Sequence, residues 1–112
     1  MNLNLFFKLI IGHAFSDFVF QSDWMAKTKN PNFRIDPRLI EPQKPQIVWP
    51  YVLIAHALVN GGIVYLITGN VWLGFFETVI HWIVDFGKCK NWYGFHIDQM
   101  IHILCKLIWS LL

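Results

Sequence analysis

Charge is what this sequence has least of. Lys, Arg, Asp and Glu together make up 14% of its 112 residues, against about one quarter in an ordinary soluble domain. Apolar residues reach 55% and aromatics 17%, with a mean hydropathy of +0.43. A soluble chain this short has too much surface for its volume to hide so many apolar side chains. The composition therefore argues against an ordinary soluble domain and for one integral membrane domain, residues 1–112. Cysteine is scarce as well. Cys89 and Cys105 are the only two, which excludes a disulfide framework and reads as two packing residues. The start of the chain has neither a basic region nor a small-residue cleavage site, so no secretory signal is expected and the first apolar run should stay in the mature protein. Proline is confined to one region. Pro31, Pro37, Pro42, Pro45 and Pro50 all fall within or just beyond residues 26–46, where they forbid a long helix.

What remains is four apolar stretches. They predict an all-α fold: a four-helix transmembrane bundle with a long proline-rich cytoplasmic loop between helices 1 and 2. The spans are expected at about 5–25, 47–67, 71–88 and 95–112, with the loop at 26–46. Residues 47–67 carry no formal charge and have the length, about 20 residues, that crosses a bilayer. Thr68-Gly69-Asn70 is a tight turn. The stretch 95–112 is barely long enough at about 1.5 Å per residue. Lys27, Lys29, Arg34, Arg38 and Lys44 lie in the first connection, Lys88 and Lys90 in the third, and no basic residue in the second. The positive-inside rule then puts both basic connections in the cytoplasm and both termini outside. Trp24, Trp49 and Trp92 fall near the inner interface, Trp72 and Trp109 near the outer one.

Each stretch carries one polar pair spaced i, i+4, and each pair contains a histidine: His13/Asp17, His56/Asn60, His81/Asp85 and Asp98/His102. Residues four apart share one helix face, and ionisable groups in a span normally face the bundle interior. One such pair is explained by helix-locking hydrogen bonds. Four of them, in a chain with five histidines, point to a metal. The candidate ligands are His13, Asp17, His56, His81, Asp85, Asp98 and His102, with zinc favoured and manganese or iron as alternatives. This set suits a dinuclear site with open positions, or one metal with generous outer support. Gln21, Asn60 and Gln99 are expected to orient ligands. Glu77 and Asp85 are the candidate catalytic acids, with Glu77 open as ligand, base or outer partner. Lys27, Lys29, Lys88 and Lys90 form a basic rim suited to an anionic substrate. His96 is expected to be solvated. The stretches 13–18 and 81–86 match at His, Asp and Phe, a weak internal repeat.

The set His13-x-x-x-Asp17-Phe18 with Gln21 and Lys27, His56, His81-x-x-x-Asp85 with Lys88, and Asp98-Gln99-x-x-His102 resembles the domain of unknown function 3307 family of small bacterial and phage membrane proteins. The likeness covers nearly the whole chain, except the proline-rich 31–45. It implies a multi-span membrane protein with functional His and Asp positions, and no established activity. In motif style alone the pairs are similar to those of membrane-bound metal-dependent hydrolases and of zinc phospholipase C and nuclease enzymes.

Three functions fit these features. The first is a metal-dependent hydrolase acting on a phosphate-bearing lipid or nucleotide at the cytoplasmic interface. The second is a structural or partner-binding membrane protein with a metal or hydrogen-bonded His/Asp core. The third is ion or proton transport. The expected partners are membrane lipids and an anionic small molecule or lipid substrate, with a homo-oligomer allowed and no nucleic acid.

Overall fold

The computed structural model describes residues 2–33 and 48–112. Their helices are α1 (Leu3–Ala14), α2 (Asp23–Thr28), α3 (Trp49–Thr68), α4 (Val71–Cys89) and α5 (Phe95–Leu111), and a π-helical turn, Phe15–Val19, continues α1. The described residues contain no strand. Local chemistry sets the ends. The Asn2, Ser22 and Asn70 side chains accept from the first-turn amides of α1, α2 and α4, at 3.0 Å from Leu5, 3.1 Å from Met25 and 2.9 Å from Trp72. Pro50 sits in the first turn of α3, where its missing N–H costs nothing. Gly69 ends that helix at φ +70°, a left-handed conformation that suits glycine.

α1 packs against α3 and α5, and α4 packs against the same two helices. The closest approach is between α3 and α4. A Cβ on Gly61 would lie 1.8 Å from Thr78 Oγ1, and one on Gly74 would lie 2.7 Å from Tyr65 Cβ. These two positions need glycine for the backbones to meet, as small residues do between helices in membranes. An apolar cluster of Leu9, Val64, Leu73, Cys105 and Trp109 fills one end of the bundle. It draws on the early part of α1 and α4 and the late part of α3 and α5, so neighbouring helices alternate in direction. The His and Asp side chains of the four pairs lie beyond it along the bundle, and buried Glu77 and Lys106 adjoin the cluster at Trp109.

The distribution of side chains is inverted relative to a soluble protein. Among the bulky side chains that are fully buried, Lys106, His56, His81, His102, Glu77, Asn60, Asp85 and Asp98 outnumber Leu9, Leu53 and Val64. Outside, Phe7, Phe18, Ile54, Leu66, Phe75, Ile83, Ile97 and Leu104 stand exposed on every long helix. Scattered exposed apolar residues are ordinary, but continuous apolar faces are not.

One expectation needs correction, one is met only at the coarser level of an all-helical chain, and one lies outside the described residues. The first apolar stretch is not one helix over 5–25. It widens into the π turn at Phe15, breaks at residues 20–22, and restarts as α2, so Trp24 and Met25 belong to a separate short helix and the expected loop begins in helical residues. The break follows from Ser22, which caps the next helix instead of continuing the last. Four spans are not evident from length and composition. Among the described residues only α3 is long and apolar enough to cross a membrane; α4 carries Glu77, His81, Asp85 and Lys88, α5 is 17 residues long, and α1 stops short. Finally, Pro37, Pro42, Pro45, Arg34, Arg38 and Lys44 lie outside the described residues, as does the expected start of the second span at Ile47.

Candidate metal centre

The four i, i+4 seams meet. His13, Asp17, His56, His81, Asp85, Asp98 and His102 are all buried and lie in one connected cluster. The π turn supplies Asp17. Its Oδ1 lies 3.1 Å from His56 Nε2 and 3.3 Å from His81 Nε2, and the two nitrogens are 3.2 Å apart. Ser16, beside Asp17, donates to Asn60 Oδ1 at 2.6 Å, which ties the π turn to α3. Asn60 in turn donates to the His56 carbonyl at 3.0 Å. It therefore braces two helices and does not orient a ligand side chain.

Gln99 joins three of the candidate side chains. Its amide nitrogen donates to Asp17 Oδ2 at 2.9 Å and to Asp98 Oδ2 at 3.2 Å, and its oxygen lies 2.9 Å from His13 Nε2. With the amide so placed, His13 carries its proton on Nε2 and donates to Gln99. Gln21 works one step away: it donates to the Asp17 carbonyl at 3.2 Å and accepts from Lys29 at 2.6 Å.

Three residue groups bring ligand atoms within 4.8 Å of one another: Asp17/His56/His81, Glu77/His81/His102 and Asp17/Asp98/His102. His13 and Asp85 belong to none of them. Asp85 is instead held by cations, with Lys29 Nζ 2.6 Å from Oδ2 and Lys88 Nζ 3.3 Å from Oδ1. His56 Nε2 is 3.6 Å from the same Oδ2. His102 stacks on His81 with ring centres 4.0 Å apart, and its Nε2 lies 3.3 Å from Asp98 Oδ1.

The basic rim divides. Lys27 is exposed and pairs with Asp23 at 2.9 Å, and Lys90 is exposed over the Phe86 ring. Lys88 is partly exposed and reaches both Asp85 and, at 3.8 Å, Asp98. Lys29 is not on the rim. At 3% exposure it is an internal counter-ion. Tyr93, in the turn after α4, donates to the Val84 carbonyl, and partial burial pushes its hydroxyl above the usual tyrosine range, keeping it a donor. His96 is exposed.

Glu77 has a partner that the four-pair reading leaves out. Lys106, one turn beyond His102, is 1% exposed and donates to Glu77 Oε1. Trp109 Nε1 donates to the other oxygen at 2.7 Å. With both oxygens engaged, Glu77 is poorly placed as a base. Its Oε1 lies 3.5 Å from His81 Nδ1, where it favours the tautomer whose Nε2 offers a lone pair to the centre. Ser16 and Lys106 are the contributors that spacing could have found, since Ser16 stands three residues after His13 and Lys106 four after His102.

A protein family described as Protein of unknown function (DUF3307) matches residues 5–112. No curated protein and no solved structure matches significantly.

Proposed function

The chain belongs to the DUF3307 family, and we propose that it is a membrane-embedded metal protein that hydrolyses a phosphoester. The observation that carries the metal reading is the triangle of Asp17 Oδ1, His56 Nε2 and His81 Nε2, with edges of 3.1, 3.3 and 3.2 Å. Ligands on a tetrahedral zinc with bonds of about 2.0–2.1 Å stand about 3.3–3.4 Å apart. Shared protons can satisfy two edges of such a triangle; a cation satisfies all three. Glu77 Oε1, 3.5 Å from His81 Nδ1, stands on the side where metal-binding histidines usually have a carboxylate for outer support.

The membrane reading is supported by the apolar exterior, the polar interior and α3. In it, α1 with its π turn, α3, α4 and α5 cross as a four-helix bundle, both termini lie outside, and the polar end of the bundle lies toward the cytoplasm. Three protein ligands leave a position open for water or substrate. A metal there would make bound water a nucleophile near neutral pH and polarise a phosphoryl oxygen. Asp85, with Lys29 on one oxygen and Lys88 on the other, is no better placed as a base than Glu77 and serves to hold the two ammonium groups beside His56. Partly exposed Lys88 is the cation placed to meet an anionic lipid headgroup or nucleotide.

The test is release of phosphate or headgroup from mixed anionic lipids and nucleotides by metal-loaded protein. Asp17→Asn should be inactive. Lys88→Gln should raise KM more than it lowers kcat. Equal release by wild type and Asp17→Asn would reject the hydrolase. A second reading, a metal-free structural core, is favoured by the ion pairs Lys29–Asp85 and Lys106–Glu77, which tie elements together without any metal ion.

A further inference from the structure

We infer that the centre holds a second divalent cation, between Asp17, Asp98 and His102, and that this position prefers a harder ion than the first. The inference rests on the metal reading above and adds a distinct site to it.

Asp98 and His102 are each 1% exposed. Asp98 Oδ1 and both ring nitrogens of His102 are buried with no hydrogen-bond partner. Such groups are rare, because burial without a partner forfeits solvation and returns nothing. Here two of them face each other, Asp98 Oδ1 and His102 Nε2, at 3.3 Å. Neighbouring ligands of one small cation stand at such a distance.

Asp17 supplies the third ligand and the link. Its Oδ1 faces His56 and His81, while its Oδ2 is turned toward Gln99, the residue that also holds Asp98. One Asp17 oxygen also lies within 4.8 Å of ligand atoms of Asp98 and His102, so this carboxylate is placed to bridge two ions about 3.5–4 Å apart. His13 has a role in this arrangement without being a ligand. Through its 2.9 Å contact it orients the Gln99 amide so that the NH₂ group faces both carboxylates.

The two positions differ in chemistry. The first offers two imidazoles and one carboxylate, which suits zinc. The second offers two carboxylates and one imidazole, which shifts preference toward manganese and similar oxygen-seeking ions.

The full-length protein in detergent, stripped with chelator, is given one equivalent of zinc chloride and then titrated with manganese chloride. Free Mn²⁺ is read from its six-line electron paramagnetic resonance signal, and zinc from elemental analysis. The account expects one zinc and one manganese per chain. His102→Ala should weaken manganese binding at least tenfold and keep zinc. Asp98→Asn, which preserves shape, should do the same and covers the case in which His102→Ala fails to fold. His56→Ala should lose zinc. A wild type that holds zinc but takes up no manganese overturns the second site and leaves the first standing. Unchanged manganese binding in both Asp98→Asn and folded His102→Ala overturns it too. A wild type that binds neither ion overturns both readings.

Discussion

Lys106 shows how much of this interior depends on pairing. Its ammonium and the Glu77 carboxylate are each about 1% exposed, and neither has water to fall back on. Breaking a buried pair from one side leaves an uncompensated charge, at a cost of about 3–5 kcal/mol, whereas removing both charges is often close to neutral. Lys106→Met should therefore lower the thermal stability of the purified protein sharply, and Lys106→Met with Glu77→Gln should recover most of the loss. A double variant no more stable than the single one would mean that Lys106 matters for packing and not for charge. The i, i+4 rule that joins Asp98 to His102 extends by one turn to Lys106, so this residue was legible in the sequence. Lys29 was not. It reaches Asp85 from α2, across a helix break, and no local spacing encodes that contact. The same limit explains why Asp85 reads as a ligand in sequence and stands in the structure as a carboxylate between two ammonium groups.

Among the elements, α3 and α4 depend on contact at two glycines. Gly61→Ala places a methyl carbon where Thr78 Oγ1 and the Gly74 carbonyl now sit. Overpacking of that kind costs roughly 1–3 kcal/mol, and His56 and His81 ride on the two helices that would be pushed apart. Gly62 provides the control: nothing lies within 4 Å of a Cβ there. Gly62→Ala should gain about 0.5–1 kcal/mol from helix propensity. Thermal unfolding of the two variants in one detergent gives the comparison; equal stabilities would mean that the helices separate without cost. The long helices α3, α4 and α5 were close to their expected bounds because apolar runs and turn residues mark them. The π turn was not foreseen. It leaves the His13/Asp17 spacing intact in sequence, and it is tied to α3 by a tertiary bond, Ser16 to Asn60, that no local pattern encodes.

At the scale of the whole molecule, an apolar surface surrounds a polar interior. The topology proposed for it puts residue 34 in the cytoplasm and residue 70 outside. With Cys89 and Cys105 replaced by alanine, Arg34→Cys should react with an impermeant thiol reagent only in opened membranes, and Asn70→Cys in intact cells. Labelling of position 34 from outside would reverse the orientation and move the centre to the other leaflet. The family gives no activity, so the centre itself has to decide the function. The most direct measurement is the metal content of protein purified without chelator, for wild type, Asp17→Asn and His96→Ala. The account predicts at least one transition-metal ion per chain in wild type and in His96→Ala, whose side chain is exposed, and little or none in folded Asp17→Asn. A folded wild type that carries no metal and takes up neither zinc nor manganese would contradict it, and the His/Asp cluster would then be a hydrogen-bonded lock between helices.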